Sequence, residues 1–172
     1  QDAPADPKTM DTLIVTGTRV TDRTVAESTS AIDIITPEAL EATGTVELAT
    51  ALSRVLPSLN FPRPAISDGT DAVRPAQLRG LSPDQVLVLV NGKRRNTSAV
   101  VNLESKTGKG TNPVDFNTIP LSAVARIEVL RDGAGAQYGS DAIAGVVNII
   151  LDERKAGGEL ATEVGAFHTK FA

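Results

Sequence analysis

Residues 124–151 read VARIEVLRDGAGAQYGSDAIAGVVNIIL, and this stretch decides the fold. Ala125, Ile127 and Val129 alternate with Arg126, Glu128 and Leu130, a period of two that predicts a strand. Arg131, Asp132 and Gly133 break the alternation. Gly133, Gly135 and Gly139 then supply positions where a positive φ costs little, which predicts a compact turn. After Gly145 the run Val146, Val147, Asn148, Ile149, Ile150, Leu151 is short, almost wholly apolar and rich in β-branched residues. It predicts a buried strand. Two strands thus flank a glycine-rich knot that carries the one tyrosine of the chain, Tyr138.

The knot has a rival reading as a dinucleotide fingerprint, G-x-G-x-x-G after a strand. Here the third glycine, Gly139, stands one place late, and a β-rich run follows instead of a crossover helix. Without that helix a phosphate has no N-terminus to sit on, so no cofactor is expected.

Composition narrows the classes further. The 172 residues are enough for one domain with a core. Apolar residues make up 41% but aromatics only 3%, so the core must be built from Val, Ile, Leu and Ala. A net charge of −4 with no long basic run argues against a nucleic-acid partner. Cysteine is absent, which removes disulfides, thiolate metal sites and a Cys nucleophile. There is a single His, His168, and no Gly-x-Ser-x-Gly elbow, and Glu128, Asp132 and Asp141 lie near no partner base; catalysis is not expected. Asp68, Gly69, Thr70 and Asp71 resemble part of a calcium loop but lack its remaining ligands. An Asp-Gly turn with no metal is the expectation. No apolar run approaches the roughly 18 to 20 residues a membrane-spanning helix needs. The start at Gln1 suggests processing upstream or a cut end.

Along the chain, residues 1–10 are polar with two prolines and predict a mobile arm. Asp11, Thr12, Leu13, Ile14, Val15 and Thr16 form a short β-prone segment. It reads either as an edge strand of the domain or as a docking peptide that adds itself to a partner's open sheet edge. Ile32 to Ile35 predicts a strand. Thr36 followed by Pro37 predicts a helix start, with the helix running to about Thr43 and ended by Gly44. Thr45 is a candidate cap for a second helix over residues 46–56, whose Leu48, Ala49, Leu52, Val55 and Leu56 recur at three and four. Pro57 closes it. Residues 61–75 are loop. Residues 86–90, VLVLV, predict a central strand covered on both faces, and Asn91-Gly92 predicts a tight turn. Residues 93–117 form a second long loop, which at this length is functional or disordered. Residues 155–158 read as a hinge, and residues 159–172 alternate loosely, as an edge or barrel strand does.

The spacing of Arg126 to Gly133, of Gln137-Tyr138-Gly139-Ser140-Asp141-Ala142 and of Ala144-Gly145-Val146-Val147-Asn148-Ile149 resembles the plug domain of TonB-dependent outer-membrane transporters. So do the two short helices, the Arg79-Gly80-Leu81 segment and the VLVLV strand before Asn-Gly. The resemblance covers roughly residues 11–155. It implies an α+β fold, a small mixed β-sheet plug with short helices and long apical loops, preceded by a flexible arm over residues 1–24 and followed by a hinge and the start of a first barrel strand over residues 156–172.

The function so implied is gating and ligand recognition for an active transporter of the outer membrane, importing a siderophore, cobalamin, a carbohydrate or a small aromatic. The plug would sit in the barrel lumen and the arm in the periplasm. Residues 11–16 would be the TonB box, docking the TonB C-terminal domain. Arg79 and Arg131 would pair with carboxylates of the barrel wall; a local salt bridge is the competing reading for both. The ligand-facing loop residues would be Phe61, Arg63, Asp68, Asp71, Arg74, Arg95, Asn96 and Asn102. The corner departs from the family's Arg-Gly-Pro, since Asp132 stands between Arg131 and Gly133. A barrel of about 22 strands at roughly ten residues each does not fit after Leu151, so this stretch reads as a plug without its barrel, open to self-association. The alternative is a stand-alone periplasmic interaction module with the same fold.

Overall fold

A computed structural model describes Thr16 and residues 31–63, 69–103, 108–131 and 134–153. The expectations for the arm over residues 1–10, the docking segment before Thr16, Asp68, Asp132, Gly133, the hinge over residues 155–158 and the strand over residues 159–172 lie outside these residues.

The stretch that opens the sequence reading forms the centre of the sheet. β6 (Val124–Leu130) and β7 (Gly145–Leu151) pair antiparallel. β4 (Val86–Val90) joins β7 in parallel, with Val86 opposite Gly145. β1 (Ile32–Ile35) adds antiparallel to β6, and β5 (Lys93–Arg94) folds back on β4. The order is β1-β6-β7-β4-β5, a mixed five-stranded sheet, with a separate two-stranded pair of β2 (Leu59–Asn60) and β3 (Gln77–Leu78). β4 is thus buried on both faces, as VLVLV requires, but lies next to the edge: β5 pairs with it at Leu89 and Val90, and the Arg95 amide donates to the Val88 carbonyl at 3.0 Å.

The two sheet faces bury different partners. One face carries Ile35, Val88, Ile127, Val129, Val147 and Ile149, packed against α1 (Pro37–Glu41) and α2 (Leu48–Val55). The other carries Leu87, Leu89, Leu130 and Val146 beneath Ala134 and Ala142. Here the glycine-rich knot is not a simple turn. It contains a short helix, α3 (Ala134–Tyr138), and a 3-10 turn at Ser140–Ala142, because small residues let this segment lie close on the sheet.

The caps explain the helices. The Thr36 hydroxyl accepts from the Ala39 amide at 3.4 Å with Pro37 at the first helical position. Gly44 beyond the end stands at φ 64. α2 begins two residues later than its periodicity predicts. The Thr45 hydroxyl accepts from the Glu47 amide, Glu47 becomes the cap, and Val46 is left 82% exposed. The Asn91-Gly92 turn has φ of 48 and 74 at its two central residues, the conformation that matches the twist of a two-residue hairpin.

Candidate functional site

Glu128 and Asn148 stand opposite each other on β6 and β7, and both are fully buried. Alternation along the strands puts them on the face of Leu130 and Val146. A carboxylate and an amide in such a place need polar partners, and both find one in Thr16. The Thr16 amide donates to Glu128 Oε2 at 3.0 Å, and its hydroxyl donates to the same oxygen at 2.6 Å. The Asn148 Nδ2 donates to the Thr16 Oγ1 at 2.9 Å. Thr16 itself is fully buried. Arg126 donates to Glu128 Oε1 from Nε at 3.0 Å, and Asn148 Oδ1 accepts from the Gly92 amide at 3.1 Å. Of the six residues expected from the sequence to form a docking segment, Asp11, Thr12, Leu13, Ile14 and Val15 lie outside the described residues, and Thr16 is held on the sheet.

Sequence reasoning missed Glu128 and Asn148 as site residues. The period-of-two pattern set Glu128 on the side of Arg126 and Leu130 and gave it no partner. The usable signal was Asn148, a lone polar residue inside the apolar run of residues 146–151, which a buried strand tolerates only with a partner.

The loop candidates separate into groups. Phe61 is buried and meets Phe116 edge-to-face, ring centroids 5.0 Å apart. Asn102 is buried too, its amide donating to the Thr111 carbonyl at 2.9 Å. Arg63 and Arg74 are both drawn to Glu47, Arg74 Nε at 3.2 Å from Oε1. Burial alone would raise the Glu47 pKa, but hydrogen bonds from Thr50 and Asn117 and the Arg63 charge outweigh it and hold the carboxyl below its ordinary value. Asp71, Arg95 and Asn96 are exposed.

The two long loops are tied to each other. The Arg74 amide donates to Asp115 Oδ1 at 3.1 Å, and the Phe116 amide to the Arg74 carbonyl at 3.4 Å. Gly69 faces Val100 closely enough that a Cβ there would lie 3.6 Å from Val100 Cγ1. Beside this junction Val101 and Leu103 are exposed.

The two singled-out arginines differ. Arg131 pairs within the chain: Nη2 donates to Asp33 Oδ1 at 2.9 Å, and Nε lies 2.7 Å from Oδ2 but out of line for a hydrogen bond. Arg79 is exposed, donates to the Ala144 carbonyl at 3.1 Å and has no carboxylate partner among the described residues. Its φ of 55 is unusual for a non-glycine residue. A third arginine, Arg94, ties the hairpin to the knot through the Asp141 carboxylate and the Tyr138 carbonyl. The Arg94 hydrogen bond leads the causes that lower the Asp141 pKa.

The sequence model of the TonB-dependent Receptor Plug Domain family matches residues 24–146. The chain belongs to that family. The plug domain is 32% identical over 92% of its length to a vitamin B12 transporter, BtuB, of Vibrio vulnificus, of which it covers 23%. It is 34% identical over 86% of its length to a probable TonB-dependent siderophore receptor, PirA, of Acinetobacter baumannii, of which it covers 19%. Among solved structures it is similar to the ferric enterobactin receptor PfeA of Pseudomonas aeruginosa, crystallised as a mutant with enterobactin: TM-score 0.55, 31% identity, 77% of the plug domain and 18% of the receptor chain. The plug domain therefore spans about a fifth of the length of the relatives it matches. These relatives are named as transporters and receptors, not enzymes.

Proposed function

We infer that this plug domain gates a TonB-dependent receptor of the outer membrane and helps recognise its cargo. It would sit in the lumen of a barrel, with the arm reaching the periplasm and residues 11–16 docking the TonB C-terminal domain. The observation that carries the reading is Thr16. The last residue of the TonB-box-like segment is hydrogen-bonded to the two central strands of the plug, so a pull on that segment reaches the sheet directly. An extended segment of this kind adds to a partner's sheet edge through its backbone.

The cargo is proposed to be a cobalamin or an iron–siderophore chelate, the classes named in the relatives. The joined loops around Arg74 and Val100 support a role in contacting it: they are tied to each other, and Arg63, Asp71, Arg95 and Asn96 on them are exposed. Arg79, held in a costly conformation and lacking a carboxylate among the described residues, is the arginine proposed to meet the barrel wall. Arg131 is already engaged by Asp33. The relatives' names do not favour the stand-alone module.

The test uses the parent-length receptor. Val15→Pro removes a backbone donor from the docking strand. Uptake should be lost while cargo binding at the cell surface is kept; unchanged uptake would remove residues 11–16 from the mechanism. Growth of a deletion strain on vitamin B12 or on iron chelates as limiting nutrient identifies the cargo, and growth unaffected on both rejects the two classes.

A further inference from the structure

We propose that Glu128 and Asn148 form a dedicated seat for a hydroxyl side chain at residue 16, a polar latch that opens separately from the fold. Three features point to it. The first is chemistry. The Thr16 hydroxyl donates to Glu128 Oε2 and accepts from Asn148 Nδ2, while its amide donates to the same carboxylate. Only a group that donates and accepts at one atom satisfies both sides, which selects Ser or Thr and rejects a Val of the same shape.

The second is placement. Buried polar pairs in the middle of a sheet are costly compared with aliphatic residues of like volume. The neighbours on this face, Leu130 and Val146, are aliphatic and covered by Ala134 and Ala142. Glu128 and Asn148 break that pattern at the row where Thr16 lies on the sheet, 112 and 132 positions away in sequence.

The third is reversibility. The contacts of Thr16 with the seat are made to side chains, whereas the β6–β7 ladder is backbone and closed without it. Residue 16 can therefore leave without unzipping a strand. Arg126 remains on Glu128 Oε1, and water can replace the bonds from residue 16. Charge-assisted hydrogen bonds of this kind are strong when dry and weak when wet, so the latch holds until water enters and then lets go. Asn148 also grips the Gly92 amide with its other end, which braces the seat against the β4–β5 turn.

That the latch governs access to residues 11–15 rests on the TonB-docking reading; the latch itself does not. The test therefore uses no TonB. Amide hydrogen exchange is followed by NMR on the full chain. The Thr16 amide should be protected, yet open more often than the amides of β7. Thr16→Val should raise its opening constant roughly tenfold to a hundredfold, the loss expected for a hydrogen bond to a charged group, with β7 unchanged. Thr16→Ser should restore protection to within a few-fold of the parent. Both substitutions leave β6 and β7 intact, so the comparison stands even where Glu128→Gln fails to fold. Three results would overturn the latch: an unprotected Thr16 amide in the parent chain, equal protection in the Val and Ser variants, or exchange of Thr16 and β7 through one common opening.

Discussion

Gly145 lies directly beneath the carbonyl of Leu130: a Cβ on Gly145 would stand 2.4 Å from the Leu130 oxygen and 2.5 Å from Leu78 Cδ2. Its φ of 144 is also one that side-chain-bearing residues rarely adopt. The first residue of β7 is therefore glycine for two independent reasons, and the Leu130 carbonyl cannot yield cheaply, because it belongs to the backbone of β6. Gly145→Ala should destabilise the chain by roughly 3 kcal/mol or more, read as the midpoint of urea unfolding. Gly135→Ala is the control. That glycine lies in α3 with nothing within 4 Å of a built Cβ, and the substitution should be neutral or add about 0.5–1 kcal/mol.

Asp33 has its pKa raised, because desolvation by burial exceeds the lowering by the Arg131 charge and hydrogen bond. The folded chain thus binds this proton more tightly than the unfolded chain does. Its contribution to stability is greatest below the unfolded carboxylate value, near 4, and declines as pH rises through the raised folded value. Asp33→Asn should abolish that decline. At neutral pH it should cost less than Arg131→Ala, by about 1 kcal/mol, because the latter leaves a half-buried carboxylate without its countercharge. Thermal unfolding of the three chains between pH 3 and 7 checks both statements.

Phe61 was a sequence candidate for cargo contact, and the structure gives it to the core. Its ring rests against Phe116, which is wholly buried. Phe61→Ala should cost about 2–4 kcal/mol of stability. Phe61→Leu should recover most of that and leave cargo preference in the parent receptor unchanged. A change in preference with full stability would return Phe61 to the cargo surface.

Arg79 occupies a turn position with positive φ, followed by Gly80 at φ 75. Asn tolerates that conformation better than Arg does. Arg79→Asn should leave the isolated chain as stable as before or up to about 1 kcal/mol more stable, since only the hydrogen bond to the Ala144 carbonyl is lost. Uptake by the parent receptor should fall. A loss of more than about 1 kcal/mol in the isolated chain would instead make Arg79 a local structural residue.

The strands at residues 86–90, 124–130 and 145–151 and the Asn91-Gly92 turn could be read directly, because each announces itself by local means: a period of two, an unbroken β-branched run, or two residues that accept positive φ. The starts of the helices were harder. Thr36 capped where expected, but the Thr45 hydroxyl spent itself on the Glu47 amide and moved the second helix along. The order β1-β6-β7-β4-β5 and the parallel match of Val86 with Gly145 have no local signature, since they join residues dozens of positions apart.

By itself, then, the sequence determined the main strands, the two helices after Thr36 and, through the spacing from Arg126 to Ile149, the family. Tertiary structure alone decided what the charged and polar side chains do. It paired Arg131 with Asp33 and left Arg79 without a carboxylate among the described residues; it buried Phe61 and Asn102; and it brought Thr16 to Glu128 and Asn148. Periodicity reports which face of an element a residue occupies, but the partner waiting on that face is supplied by a segment far away in the chain, and only the closed fold brings the two within hydrogen-bonding reach.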